Sequence, residues 1–134
     1  MASDNHRSVR VLMVEDFEPF RRFFCSVLSK LHHLQIIAEA SDGLDAVRKA
    51  KELRPDLILL DIGLPTMNGI EAARQIRTLS PNSRIIFVSR ESDPAIVQEA
   101  LSLGAGYLVK TKVASELRNA LAAVFDGRQF LSAA

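Results

Sequence analysis

The sequence predicts an α/β fold, a doubly wound parallel sheet with helices on both faces. Short aliphatic runs, five in all, alternate without interruption with longer segments of helical periodicity. The central run, Leu57-Ile58-Leu59-Leu60, has no polar side, as a strand buried on both faces requires. Polar residues stand where these runs end. Asp61 is the foremost, and Gly63 and Pro65 force a loop directly after it.

Met1 to Ser8 is polar and reads as a disordered lead-in to a domain spanning residues 9–126. Val9 to Val14 is the first strand, with Glu15-Asp16 at its end. Pro19 suits the first turn of a helix, in which Phe20, Phe24, Val27, Leu28 and Leu31 recur on one face. His32-His33 close that helix; adjacent helical side chains diverge, so a surface or capping role is preferred to metal binding. Leu34 to Ala40 is the second strand. Asp42-Gly43 turns the chain into a helix with Ala46, Val47, Ala50 and Leu53 inward, stopped by Pro55. Its Arg and Lys residues read as a solvated face.

After the Asp61 strand, Asn68 is placed to cap a helix over residues 69–80, with Ala72, Ala73, Ile76 and Leu79 inward. Ile85 to Val88 is the fourth strand and ends in Ser89. Ser92-Asp93-Pro94 starts a helix whose apolar side is Ile96, Val97, Ala100 and Leu101. Gly104 and Gly106 lead into the last strand, Tyr107 to Val109, closed by Lys110. A fifth helix covers residues 114–125 and ends at Gly127. Right-handed crossovers then favour five strands in the flavodoxin-like order 2-1-3-4-5. Residues 127–134 are left as a C-terminal tail or linker start, in which Phe130 and Leu131 are expected to pack on the domain or a partner.

Composition narrows the function. A chain of 134 residues forms one domain with a real core. Its net charge of +1, with 17 scattered Lys and Arg, argues against direct nucleic-acid or membrane binding. Cys25 is the only cysteine, which excludes an internal disulfide and suits the cytoplasm. No apolar run approaches the ~20 residues needed to span a bilayer.

In the order 2-1-3-4-5, strand ends carry Glu15, Asp16, Asp61, Ser89 and Lys110 to one edge of the sheet, where open α/β folds bind ligands. Three carboxylates in one crevice resist ionising together unless a cation lies between them. Oxygen ligands on a half-open site suit Mg²⁺, and three carboxylates, a divalent ion and Lys110 sum to zero charge. Asp61 then reads as a nucleophile for phosphorus, with Lys110 and Ser89 meeting phosphoryl oxygens. Inward movement of Ser89 would vacate space that Tyr107 is large enough to fill.

Val14-Glu15-Asp16, Leu60-Asp61-Ile62-Gly63-Leu64-Pro65, Val88-Ser89 and Gly106-Tyr107-Leu108-Val109-Lys110 together make the chain resemble a response-regulator receiver domain of two-component signalling. The resemblance implies Asp61 as acceptor of a phosphoryl group from a sensor histidine kinase. It implies Mg²⁺ held by Asp16, Asp61 and the carbonyl of Gly63, with Glu15 acting through water, and Ser89 and Tyr107 as a switch pair. It further implies an output face on the fourth helix, fifth strand and fifth helix, and a domain that is not a classical enzyme, though it supports its own phosphotransfer and slow dephosphorylation. Val109-Lys110-Thr111 and the tail Gly127 to Ser132 are similar to receivers of LuxR-type regulators, so the expectation is either a DNA-binding output domain outside this chain, with control of transcription and a homodimer, or a stand-alone receiver acting by protein contact. The chain departs from the pattern at Thr111, where many receivers have proline, and at Arg90. Arg90 and Glu91 are expected to gate water and set the acyl-phosphate lifetime.

Rival readings fit less well. A flavin or nucleotide binder needs small residues and free amides after the first strand, where Glu15-Asp16-Phe17-Glu18 is acidic and bulky. A haloacid-dehalogenase-type phosphatase has a second Asp two residues after its nucleophile, and Gly63 stands there. A receiver acting by protein contact without phosphorylation leaves the acidic set and Lys110 unexplained.

Overall fold

A computed structural model describes residues 8–90 and 93–132. The elements alternate as the hydrophobic pattern requires: β1 (Val9–Val14), α1 (Glu18–Ser29), β2 (Leu34–Ala40), α2 (Gly43–Leu53), β3 (Leu57–Asp61), α3 (Gly69–Leu79), β4 (Arg84–Ser89), α4 (Pro94–Leu103), β5 (Gly106–Val109), α5 (Val113–Phe125) and β6 (Phe130–Leu131). A 3₁₀ turn, Lys110–Lys112, joins β5 to α5. All strand pairs are parallel, in the order β2-β1-β3-β4-β5-β6.

The sheet separates two apolar layers, and strand alternation decides which residue joins which. Leu12, Val14, Ile58, Leu60, Ile85, Phe87 and Tyr107 pack with α2, α3 and α4. Val11, Met13, Leu57, Leu59, Ile86, Val88 and Leu108 pack with α1 and α5. β3 lies between β1 and β4 with every residue buried, which is why its sequence shows no polar side. Caps fix the helix starts: Asn68 Oδ1 accepts from the Glu71 N–H at 3.0 Å, and Asp42 Oδ1 from the Asp45 N–H at 2.8 Å. Asp93 caps α4 from its own side chain, whereas Ser92 lies outside the described residues.

The expected five strands become six. The tail reaches Gly127, which takes φ +81°, and returns along the outer edge of β5. Phe130 N–H donates to the Ala105 carbonyl at 3.1 Å and Ser132 N–H to the Tyr107 carbonyl at 2.9 Å. Ser132 Oγ accepts from the Val109 N–H at 2.9 Å and donates to Glu116 Oε1 at 2.7 Å. The physical reason is edge satisfaction: the segment pairs amides and carbonyls that β5 would otherwise expose. Phe130 packs on the α1–α5 layer as the sequence suggests, while Leu131 is 54% exposed. Of the expected lead-in, Met1 to Ser8, residues 1–7 lie outside the described residues.

Candidate functional site

The site is a consequence of register. Val14 pairs with Leu60, Asp61 with Val88, and Ser89 with Val109. Four neighbouring strands therefore end at one level, and the residue at or after each end faces the same crevice. Glu15, Asp16, Asp61, Gly63, Ser89 and Lys110 line one cavity of about 360 Å³, with Phe17, Ile62, Arg90 and Ile96 completing its wall. Six of the seven residues given a phosphoryl, metal or switch role from sequence thus meet in one place. Tyr107 is the seventh; it is buried in the layer under α4, at 1% exposure.

Loop chemistry holds the acidic residues. Arg21 on α1 donates from Nη1 to the Glu15 carbonyl at 3.1 Å, and its Nε pairs with Glu39 at 2.9 Å. The two carboxylate oxygens of Glu15 have different tasks: Oε2 accepts from the Phe17 N–H at 3.0 Å, and Oε1 meets Lys110 Nζ at 2.9 Å. Lys110 also reaches Asp61 Oδ2 at 3.3 Å, while Asp61 Oδ1 accepts from the Gly63 N–H at 3.2 Å. Gly69 lets the start of α3 press against the end of β3, because a Cβ there would overlap the Asp61 carbonyl. Gly69 N–H closes the intervening loop onto the Ile62 carbonyl at 2.8 Å.

Glu15 and Asp61 are buried, and Asp16 is exposed at the mouth. Burial raises the Glu15 carboxyl above its ordinary value; the Lys110 hydrogen bond pulls the other way, and the neighbouring Asp61 charge adds to the rise. Carboxylate oxygens of Glu15, Asp16 and Asp61 lie within 4.8 Å of one another. That donor set, all oxygen and open on one side, fits a small hard cation. The His32-His33 pair belongs to no group of three or more metal-ligating side chains among the described residues.

Arg90 lines the crevice and is exposed, whereas Glu91 lies outside the described residues. No cis peptide bond occurs among the described residues, and Thr111 sits inside the 3₁₀ turn after Lys110. Sequence reasoning missed two features. Phe17 and Ile96 form apolar walls, and the ring of Phe20 lies beneath Lys110, 4.7 Å from Nζ to the centroid. The signal for Phe20 was its place one helical turn past the acidic pair, hidden because its spacing also marks it as core.

A doubly wound sheet with three carboxylates and one lysine at the carboxyl ends of its strands defines an α/β signalling domain of the receiver class. The chain belongs to the response regulator receiver domain family, whose family model matches residues 11–122. It is 34% identical over 124 residues to the transcriptional regulatory protein LnrK of Bacillus subtilis, covering 92% of this chain and 56% of LnrK. The chain therefore spans about half the length of that relative. It is 38% identical over 113 residues to the chemotaxis protein CheY of Thermotoga maritima, covering 84% of this chain and 93% of CheY. Among solved structures, the signal receiver domain of the response regulator NarL from Mycobacterium tuberculosis superposes with a TM-score of 0.84 at 33% identity, over 91% of this chain and 99% of that one. No helix among the described residues is long and apolar enough to cross a membrane.

Proposed function

We propose that this receiver takes a phosphoryl group on Asp61 from the phosphohistidine of a sensor kinase. The observation that carries the reading is the bridging of Glu15 and Asp61 by one partly buried ammonium, in a crevice roomy enough for a phosphoryl group. An Asp61 carboxylate oxygen attacks phosphorus and the P–N bond breaks; its electron pair returns to the imidazole nitrogen. Lys110, already 3.3 Å from Asp61, follows the new negative charge and pairs with a phosphoryl oxygen. Ser89, buried at the end of the neighbouring strand, donates its hydroxyl to another. Glu15, Asp16, Asp61 and the Gly63 carbonyl would hold Mg²⁺, which when bound offsets charge on the phosphoryl oxygens.

Tyr107 follows Ser89 as the second half of a switch. It lies on the strand next to Ser89 and already occupies the layer beneath α4, so a shift of the Ser89 loop changes its packing. The readout face is α4, β5 and α5. Control of transcription is the proposed output, by likeness to LnrK, with a DNA-binding domain and homodimer formation belonging to the same proposal.

Incubation with a small acyl-phosphate donor and Mg²⁺ tests the reading. The expected result is a mass increase of ~80 Da, the phosphoryl increment, absent without the ion and absent in Asp61→Asn. An unmodified parent chain under both the small donor and a phosphorylated kinase would instead favour a domain acting by protein contact alone.

A further inference from the structure

The reading of Asp61 leaves Lys110 with an unsolved task. Its ammonium is held by Glu15 at 2.9 Å and by Asp61 at 3.3 Å. Both contacts depend on carboxylate charges, and the proposed reaction redistributes the one on Asp61. Once Asp61 is esterified, the oxygen that Lys110 now touches no longer carries its full charge. A lysine has four rotatable stem bonds and no planar fork, so its own geometry does not hold an ammonium in place as it moves from the Asp61 carboxylate to a phosphoryl oxygen.

One contact does not depend on those charges. The face of the Phe20 ring lies 4.7 Å from Lys110 Nζ, within the range in which a ring quadrupole attracts a cation. The ring is itself fixed. Phe24, 1% exposed, meets it edge-on at 5.6 Å between centroids, and Phe23 lies at 6.0 Å. Phe20 falls in the first turn of α1, directly after the acidic loop, so the element that positions Glu15 through Arg21 also positions the ring. Lys110 is only 11% exposed, and in such a dry setting the ring attraction is not screened away.

We propose that Phe20 is a positioning residue for phosphoryl transfer: its ring seats the Lys110 ammonium at the acceptor carboxylate before and after Asp61 changes charge. The proposal rests on the reading of Asp61 given above. The side chain touches neither phosphorus nor metal; it acts through Lys110. Its chemistry requires an aromatic face, and an aliphatic residue of similar bulk fills the space without the attraction.

The test compares the parent chain with Phe20→Leu and Phe20→Tyr. Proton NMR of the metal-free protein reads the contact directly, because a ring face shifts the Lys110 ε-methylene protons upfield. The expected pattern is an upfield shift in the parent and Phe20→Tyr, lost in Phe20→Leu, with all three folded by circular dichroism. Phosphoryl uptake from acetyl phosphate with Mg²⁺ then falls about 3- to 10-fold in Phe20→Leu and is restored by Phe20→Tyr. Uptake by Phe20→Leu at the parent rate overturns the proposal, as does equal slowing in Phe20→Tyr, which marks a packing role. A parent chain that takes up no phosphoryl group from any donor sinks the Asp61 reading as well. A phosphorylated parent matched by Phe20→Leu sinks this proposal alone.

Discussion

Lys110→Met removes one charge from the crevice and keeps most of the stem. The side chains of Glu15 and Asp61 are 2% and 7% exposed, so neither carboxylate can turn to water when the ammonium goes. At an effective dielectric of about 20, the contacts at 2.9 and 3.3 Å correspond to Coulomb attractions of roughly 6 and 5 kcal/mol. Much of that is offset in the parent by the cost of drying the ammonium. The measurable loss is instead that of stranding buried charge, about 3–5 kcal/mol when one partner of such a pair is removed. That is a large share of a total stability of about 5–15 kcal/mol. Urea unfolding in EDTA is the assay: the midpoint falls by about 1–3 M with an unchanged slope. Added Mg²⁺ narrows the gap, because a cation among the three carboxylates takes over part of the neutralisation. A variant within about 0.5 kcal/mol of the parent would refute the idea that the ion pairs hold this crevice together. A gap indifferent to Mg²⁺ would refute the cation site while leaving the ion pairs standing.

Ser132→Ala tests the tail strand: the Val109 N–H and the Glu116 carboxylate both lose a buried partner, and urea unfolding should show a loss of about 1–3 kcal/mol. No loss would mean that β6 does not dock on β5. Gly69→Ala forces a methyl group against the Asp61 carbonyl and the Ile62 Cα, and is expected to cost about 1–3 kcal/mol and slow phosphoryl uptake together. Asp45 gives a pH signature. Its carboxyl is held below the ordinary 3.8, first by the hydrogen bond from Lys49, which outweighs the opposing effect of burial, and then by Arg48. A depressed folded value means stabilisation present above pH 3.8 and lost as pH falls through that lower value. The stability difference between the parent and Asp45→Asn, under about 1 kcal/mol for so exposed a cluster, should therefore vanish in acid. A difference that persists there would assign it to something other than charge.

The parts of this molecule that were legible in its sequence are those in which a local pattern has one geometric outcome. A run such as Leu57 to Leu60 can be buried on both faces only in the middle of a sheet, and it lies between β1 and β4. Asp61, at the end of that run, is thereby placed before any tertiary contact is known. Parallel register does the rest, because strands of similar length started by short loops end at one level, and Glu15, Ser89 and Lys110 arrive beside Asp61. What the sequence hides is the choice a side chain makes once it has arrived. Glu15 and Asp16 are adjacent and alike in letters, yet Glu15 turns inward to Lys110 while Asp16 stays at the mouth, a difference of one backbone step. β6 has two residues and no alternation to read, and only the bare edge of β5 makes it a strand. Phe20 satisfies the helical period of α1, and that period is indifferent to whether the ring meets leucine or an ammonium. Periodicity thus specifies which surfaces meet, and the identity of the atoms across the contact decides what those surfaces can do. The function proposed for this chain rests where the two kinds of information coincide, at the strand ends around Asp61.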